Sequence, residues 1–377
     1  MKIAIDARGA NWYSGTGIGT YTRQILKYLM KYDQDNSYLL YWWGMNYHEM
    51  CRDNVTIDLT SKKHHHFFEE SYIPENLFSN SVDIYHVPQN GVGIPSRKRC
   101  TYISTIHDLI PYIMPETVGR GYLKRFICEM PHIMQSSDYI ITVSEYSKKD
   151  IIKIFDYPED RIKVTPLAAD EYFSPLDKER CRACLKESYN ITGDFVLYLG
   201  GFSPRKNVKS ILVAFSRIYK ELPLDYKVVI IGPSRDDHCY LSGLCETLGI
   251  SDRVVFTGYV PYEDLPYFYN ACELFVYPSL YEGFGLPPLE AMSCRTPVIA
   301  SSVSSIPEVV GDGALLINPF DTDDLKDAMT KMLTDDSLRN DIALKGYERS
   351  KDFSWDKTCL NTLKVYEEAY AAKAREE

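Results

Sequence analysis

No hydrophobic run in the 377-residue sequence is long enough to cross a membrane, since a spanning helix needs about 18 or more consecutive apolar residues. The densest apolar run, Tyr38–Trp43, has the length of a β-strand. The N-terminal segment MKIAIDARGA begins as a strand and lacks the apolar stretch of a signal peptide. We therefore expect a cytoplasmic protein, and peripheral contact at the inner face of the membrane stays open.

The sequence also lacks excess positive charge and paired cysteines. It has 42 Lys and Arg residues against 52 Asp and Glu, a net charge of −10, which argues against a nucleic-acid partner. The ten cysteines are scattered, and the single CxxC, Cys181 to Cys184, has no second pair with which to hold zinc. Scattered cysteines are typical of reduced thiols in a cytosol. The GxxxxGK motif of P-loop proteins and the GxSxG motif of serine hydrolases are absent as well.

The sequence does contain a regular alternation of short β-branched or aromatic runs with amphipathic stretches, which predicts parallel βαβ units. The alternation pauses at residues 165–175, rich in Pro and acidic residues, and then restarts. We therefore predict an α/β protein with two doubly wound Rossmann-like domains, over residues 1–170 and 171–354. A last helical pattern begins at residue 355, and its spacing does not show which domain it contacts. The predicted strands include Lys2–Ala7, Val55–Leu59, Tyr102–His107, Phe195–Leu199, Lys227–Ile231, Leu274–Pro278 and Leu315–Ile317.

The first candidate site is the glycine loop in the segment EGFGLPPLE, which begins at residue 282. A predicted strand, Leu274–Pro278, ends just before it, and Pro287 suits the first turn of a helix. The backbone N–H groups of Phe284, Gly285 and Leu286 would then point at a ligand, because the start of a helix favours a phosphate. The carboxyl end of a strand is where open α/β sheets bind ligands, so we favour a site over an ordinary turn.

Charged side chains accompany this loop. Glu282 and Glu290 flank it, and carboxylates accept hydrogen bonds from vicinal sugar hydroxyls. In the segment LGGFSPRKN, Arg205 and Lys206 follow the predicted strand Phe195–Leu199. Two adjacent cations at such a position suit a diphosphate, and we expect both to be solvent-accessible. The alternative is an ordinary solvated basic pair.

Two weaker candidates lie in the first half. The segment SGTGIGT, residues 14–20, has GxGxG spacing, which is a poor dinucleotide fingerprint but suits a loop that approaches a phosphate at Gly17. His107, followed by Asp108, comes at the end of the predicted strand Tyr102–His107. A lone histidine is more often a satisfied core residue, but its place at the end of a strand favours a functional role.

Together these segments resemble the retaining glycosyltransferases of family 4, which have the GT-B fold. Within that family the sequence looks most like the mannosyltransferases of O-antigen and capsule synthesis. The resemblance implies that the two domains face a central cleft and that residues 355–377 return to the first domain. It is carried by GTGIGTYT, IHDLIPYIMPE, ITVSEYSKKDI, LYLGGFSPRKN, FTGYVPYEDLPYFYNACELFVYPSLYEGFGLPPLEAM and PVIASSVSSIPEVVGDGALLINP.

The resemblance also implies a role for each candidate residue. His107, Glu282, Arg205 and Lys206 would be catalytic. One departure from the family pattern is Gly201, where related proteins often have a polar residue. In chain order, the implied contacts are Gly17 against the donor phosphate, His107 against the sugar near the reacting carbon, Arg205 and Lys206 on the diphosphate, Val260 on the base through its backbone, Glu282 on the transferred sugar, Gly283, Phe284, Gly285 and Leu286 as backbone donors to the sugar and distal phosphate, and Glu290 on the ribose.

The implied activity is transfer of a hexose from a nucleotide-diphosphate sugar to a glycan or lipid-linked acceptor in surface polysaccharide synthesis. GDP-mannose is favoured as donor over a UDP-sugar, and no cofactor or metal is expected. The alternatives are a UDP-sugar-dependent transferase, a GT-B-like sugar-nucleotide epimerase and a non-catalytic nucleotide-sugar binder. Weak membrane contact is a further hypothesis, because the predicted helix Gly121–Gln135 places Tyr122, Phe126 and Met130 on one face, beside the basic residues Arg120, Lys124 and Arg125. The alternative, which we favour slightly, is that this apolar face packs on the sheet and the cations are only solvated.

Overall fold

The computed structural model describes residues 1–61, 64–233 and 236–376 of the chain. The chain divides into two compact units. The N-terminal unit comprises Met1–Leu167 together with Ser354–Glu377, and the C-terminal unit comprises Ala168–Phe353. Each unit has its own sheet and its own buried hydrophobic core.

The N-terminal unit is built on a seven-stranded parallel sheet. Its strand order is β3-β2-β1-β4-β5-β6-β7, so the order reverses between β1 and β4. The strands are β1 (Lys2–Asp6), β2 (Ser37–Trp42), β3 (Val55–Leu59), β4 (Ile84–Val87), β5 (Thr101–Ile106), β6 (Tyr139–Thr142) and β7 (Ile162–Val164). The α-helices between them are α1 (Gly9–Trp12), α2 (Gly17–Tyr32), α3 (His65–Phe67), α4 (Ile73–Ser79), α5 (Ile110–Ile113), α6 (Arg120–Ser136) and α7 (Glu145–Phe155), with a π-helical turn at Phe68–Tyr72 between α3 and α4.

The C-terminal unit repeats this arrangement with six parallel strands in the order β10-β9-β8-β11-β12-β13. The strands are β8 (Phe195–Leu199), β9 (Lys227–Ile231), β10 (Val254–Gly258), β11 (Leu274–Tyr277), β12 (Val298–Ser301) and β13 (Leu315–Ile317). The helices are α8 (Lys178–Tyr189), α9 (Val208–Ile218), α10 (Asp236–Leu248), α11 (Leu265–Ala271), α12 (Leu286–Ser293), α13 (Ile306–Val310), α14 (Thr322–Thr334) and α15 (Asp336–Ser350).

Both sheets are therefore doubly wound, which confirms the predicted fold class. Apolar, β-branched sequences such as KVVII and LFVY form the central strands because a parallel sheet is covered by helices on both faces. In each sheet the order reverses beside the first strand, between β1 and β4 or between β8 and β11. The crevice at such a reversal is where doubly wound sheets bind ligands.

The last helix, α16 (Trp355–Glu376), packs within the N-terminal unit, where it contacts α2 and β5. Its Thr358 hydroxyl donates to the carbonyl of Pro166 at 2.6 Å. Its Tyr366 hydroxyl lies 2.7 Å from Nδ1 of His86, a buried residue of β4.

Helix α6 distinguishes between the two interpretations of its apolar face, lipid contact and packing on the sheet. Of the three residues on that face, Phe126 and Met130 are 3% and 0% exposed and pack in the core of the N-terminal unit. Only Tyr122 is exposed, at 43%. The apolar face of α6 therefore stabilises its own unit and is not available to lipid. Among the helices of the described chain, none has the length and apolar character needed to cross a membrane.

Candidate active site

The strongest candidate site lies at the strand reversal of the C-terminal unit. Two loops meet there, one that follows β8 and one that follows β11. The backbone N–H of Leu280 donates to the carbonyl of Arg205 at 2.8 Å, which joins the two loops. The side-chain amide of Asn207 donates to the carbonyls of Pro278 and Pro319, at 3.2 and 2.8 Å. The loop after β8 is thus fixed against the loop after β11.

This contact brings together three of the predicted site residues. Arg205 Nη1 and Lys206 Nζ lie 2.9 and 2.7 Å from the same atom, Glu282 Oε1. The Arg205 guanidinium also donates to the carbonyl of Tyr281. The side chains of Arg205 and Lys206 are 13% and 15% exposed, so both reach solvent as expected, but only in part. The reason is the ion pair itself, which draws both cations down to a buried carboxylate.

Glu282 is ionised in this cluster. Burial acts to raise the pKa of Glu282, but the charges of Lys206 and Arg205 outweigh burial and lower it to about 2. The backbone N–H of Glu282 donates to Ser304 Oγ at 3.0 Å, and its carbonyl accepts from Ser305 Oγ at 2.9 Å. Both the backbone and the carboxylate of Glu282 are therefore held in place.

The glycine loop has the backbone that the sequence predicts. Gly285 has a φ of 120°, and α12 begins at the next residue, Leu286. This φ favours glycine, and a Cβ at Gly285 would also lie 2.7 Å from Cδ1 of Ile306, whose side chain would have to shift. Ser305 Oγ also donates to the carbonyl of Phe284 at 2.8 Å. Two prolines follow Leu286 and carry no N–H, so any backbone donors that this loop offers to an anionic ligand lie at Leu286 or before it.

Glu290 lies on the second turn of α12 and is buried. Its Oε2 accepts a hydrogen bond from the Tyr269 hydroxyl at 2.9 Å. Burial raises the pKa of Glu290 to about 7, so near neutral pH it exchanges between the acid and the carboxylate. Glu282 and Glu290 thus differ sharply in charge, although both belong to one motif.

Val260, the residue implied to meet the base, is also buried and follows the end of β10 by two positions.

In the N-terminal unit, His107 follows β5 and is buried, with one ring nitrogen in a hydrogen bond to the backbone. Its Nε2 lies 2.9 Å from the carbonyl of Pro88, and its backbone N–H donates to Asn90 Oδ1 at 2.8 Å. Burial lowers the pKa of His107 to about 4, so the ring is neutral near pH 7. Gly17 is exposed and is the first residue of α2, where Thr16 Oγ1 accepts from the N–H of Gly19 at 3.3 Å. The glycine segment is therefore partly a turn, up to Thr16, and partly the first turn of a helix.

The sequence analysis missed two tyrosines that contact the predicted carboxylates. Tyr269 donates to Glu290, and the hydroxyl of Tyr277 donates to Glu282 Oε1 at 3.0 Å while accepting from Lys206 Nζ at 2.8 Å. Both have the pattern of ordinary core residues, in α11 and β11. The local sequence does not show that the hydroxyl of such a tyrosine binds a carboxylate, because the carboxylate lies in another element.

Comparison with known proteins gives this site a context. The family described as Glycosyltransferase Family 4 matches residues 15–171, and the family described as Glycosyl transferases group 1 matches residues 185–349. The O-antigen chain mannosyltransferase B of Escherichia coli is 36% identical over 283 residues, which are 75% of this chain and 74% of that protein. This chain belongs to glycosyltransferase family 4. The predicted resemblance is confirmed.

Solved structures place this family 4 glycosyltransferase in the GT-B fold. Sucrose-phosphate synthase from Thermosynechococcus elongatus has a TM-score of 0.79 and 21% identity, covering 99% of this chain and 100% of that one. The Anabaena protein HepE, in complex with UDP-glucose, has a TM-score of 0.72 and 16% identity, covering 97% and 99%. At these identities the likeness establishes the fold alone.

Proposed function

We propose that this family 4 glycosyltransferase transfers mannose from GDP-mannose to a glycan or lipid-linked saccharide in surface polysaccharide synthesis, with retention of the anomeric configuration. The observation that carries the proposal is the pair of cations, Arg205 and Lys206, gathered at the strand reversal of the C-terminal unit beside the start of α12. The similarity to an O-antigen mannosyltransferase supports mannose as the transferred sugar.

The chemistry follows from where charge develops. When the bond between the anomeric carbon and the diphosphate breaks, negative charge grows on the distal phosphate and the sugar becomes oxocarbenium-like. The guanidinium of Arg205, the ammonium of Lys206 and the backbone N–H groups before α12 are fixed donors that stabilise this charge more in the transition state than in the ground state. The acceptor hydroxyl attacks the anomeric carbon and gives its proton to the departing phosphate oxygen.

Retention without a protein nucleophile accords with the state of Glu282. Its carboxylate pairs with two cations, which lower its pKa to about 2. It is therefore a weak base and a poorly available nucleophile. In this proposal it accepts hydrogen bonds from hydroxyls of the transferred sugar. His107, neutral at pH 7, is a hydrogen-bonding partner of the sugar and not a cation.

We also propose that the reaction needs no divalent metal, because the two cations supply the charge that a metal would bring to a diphosphate. The second candidate function is transfer from a UDP-sugar, which the similarity of fold to HepE with UDP-glucose favours. The two candidates share the diphosphate site and differ only in the base and sugar that they require.

A donor screen tests the proposal. Thermal unfolding is followed with GDP-mannose, GDP-glucose, UDP-glucose and UDP-galactose, each with and without excess EDTA, and release of nucleoside diphosphate is measured in parallel. Stabilisation and turnover with GDP-mannose, equal within about twofold in EDTA, support the proposal. Response to UDP-sugars alone supports the second candidate. Turnover that collapses in EDTA and returns with Mg²⁺ or Mn²⁺ contradicts metal independence.

A further inference from the structure

Tyr21 connects the two candidate residues of the N-terminal unit. It lies on α2, four positions after Gly17, at which that helix begins. Its ring meets the ring of His107 edge to face, with centroids 4.8 Å apart and an interplanar angle of 81°. The side chain of Tyr21 is fully buried, with Trp355 of α16 at a centroid distance of 6.3 Å. One residue therefore limits both the tilt of the His107 ring and the position of the helix that begins at Gly17.

The hydroxyl of Tyr21 is anchored by a chain of buried polar groups. It lies 3.1 Å from Oγ1 of Thr105, which is on β5 two residues before His107. Thr105 Oγ1 is in turn 2.8 Å from Nε2 of His86, and Nδ1 of His86 is 2.7 Å from the hydroxyl of Tyr366 in α16. The four side chains are all fully buried.

This chain of contacts is more than core filling requires. A phenylalanine would bury the same ring at position 21 without the cost of desolvating a hydroxyl, which is recovered only when every buried polar group finds a partner. Burial raises the pKa of Tyr21 and lowers the pKa of His86 to about 3, so both groups stay neutral over the working pH range. The hydrogen bonds thus fix orientation at any pH near neutrality, since no member of the chain changes charge there.

The orientation of His107 depends on the same elements. The carbonyl of Pro88, which accepts from Nε2, belongs to the loop after β4, and β4 is held to α16 through His86 and Tyr366. With Nε2–H donated to this carbonyl, Nδ1 is the ring nitrogen left to accept a proton or hydrogen bond. If the ring rotated away from Tyr21, Nε2 would lose its hydrogen bond to the carbonyl of Pro88. The tautomer and the direction in which Nδ1 points would then no longer be set.

We propose that Tyr21 is a positioning residue for the transfer reaction. Its ring holds the imidazole of His107, and its hydroxyl locks α2, and with it Gly17, to strand β5. The proposal rests on the proposed function, which assigns His107 to the sugar, and on the contact between Gly17 and the donor phosphate that the family resemblance implies. Tyr21 itself touches neither substrate, so its effect is on turnover more than on donor binding.

Three full-length variants test this proposal. Tyr21→Phe keeps the ring and removes the anchor, Tyr21→Leu removes both, and Tyr28→Phe is a matched change at another buried tyrosine of α2. We expect kcat to fall about 5- to 10-fold in Tyr21→Phe and about 100-fold in Tyr21→Leu, with KM for GDP-mannose within about twofold. Tyr28→Phe should leave both constants near the wild-type values.

A spectroscopic measurement separates positioning from general destabilisation. In protein labelled with ¹⁵N-histidine, the signal of His107 is identified among the eight histidines by its loss in His107→Gln. We expect the pKa of His107 to stay near 4 in wild type, Tyr21→Phe and Tyr28→Phe, and to move toward the ordinary value of about 6.5 in Tyr21→Leu as water reaches the ring. This readout does not depend on activity.

The outcomes are distinct. An unchanged titration of His107 in folded Tyr21→Leu, or equal losses of kcat in Tyr21→Phe and Tyr28→Phe, overturns the positioning role. If Tyr21→Leu does not fold, Tyr21→Phe decides, and full kcat in that variant overturns the proposal. Failure of wild-type protein to bind or turn over any nucleotide sugar contradicts the proposed function, whereas the titration still tests the contact between Tyr21 and His107.

Discussion

The ammonium of Lys206 lies 2.7 Å from the carboxylate of Glu282, on the oxygen that Arg205 also contacts. The two cations proposed to hold a diphosphate therefore share one carboxylate of the same site, which neutralises half of their charge. Under the proposed function, a bound diphosphate competes with Glu282 for these cations, while the carboxylate accepts hydrogen bonds from the sugar. The ion pair would then link the phosphate half of the site to the sugar half.

Replacing Glu282 with Gln should strengthen the binding of GDP while weakening transfer. The neutral amide no longer competes for Arg205 and Lys206 and no longer repels the diphosphate, so we expect GDP to bind about 5- to 10-fold tighter. We expect kcat with GDP-mannose to fall about 100-fold, because the sugar loses a charged acceptor. Calorimetric titration with GDP measures the first effect, and weaker GDP binding to Glu282→Gln would contradict it.

Removing both cations should cost stability as well as activity. In the double variant Arg205→Ala with Lys206→Ala, the buried carboxylate of Glu282 loses its partners, which costs on the order of 3 kcal/mol of unfolding free energy. Transfer should be abolished. The triple variant that adds Glu282→Gln is the control, since it should regain much of the stability but none of the activity. Near-normal turnover in the folded double variant would rule out the diphosphate assignment.

Glu290 should make nucleotide affinity depend on pH. Its pKa is raised from 4.5 to about 7 by burial, and the nucleotide ribose, which the family resemblance implies as its partner, donates better to a carboxylate than to a carboxylic acid. We therefore expect GDP affinity to increase as pH rises through about 7 in wild type and to stay flat in Glu290→Gln. Fluorescence or calorimetric titrations at pH 6, 7 and 8 measure this, and parallel profiles for the two proteins would refute it.

The same group should affect stability in the opposite direction. Because the folded pKa of Glu290 lies above the unfolded value, its contribution to stability is complete below pH 4.5 and is lost as pH rises through about 7. The free energy of unfolding of wild type should thus fall relative to that of Glu290→Gln between pH 5 and 8. Denaturant titrations at these pH values check the sign.

Membrane contact through α6, if present, should be electrostatic. Its Phe126 and Met130 are buried, and of the three basic residues of the hypothesis Arg125 is exposed but pairs with Glu129 at 2.8 Å, so the test uses the other two, Arg120 and Lys124. At about 1 kcal/mol each, they predict weak binding to anionic vesicles that is lost at high salt. Sedimentation compares the double variant Arg120→Ala/Lys124→Ala with a control double variant in the C-terminal unit, Lys345→Ala/Lys351→Ala. The control has the same change in net charge. Equal pelleting of the two double variants would refute the contact.

The local sequence determined the strands and the backbone of the main loop. Val55–Leu59, Phe195–Leu199, Lys227–Ile231 and Leu315–Ile317 have the bounds predicted, because an apolar run between turn residues is a property of the chain segment itself. The glycine loop before α12 was predicted for the same reason, since its conformation is required locally at Gly285.

Tertiary structure alone decided what the charged and aromatic side chains touch. Lys206 and Glu282 are 76 positions apart, and His86 and Tyr366 are 280 apart, so no local pattern could pair them. The sequence likewise showed an apolar stripe on α6 but not which of its residues the core covers. Burial and pairing depend on long-range packing, and that packing is what draws Arg205 and Lys206 to Glu282 and sets the different charges of Glu282 and Glu290.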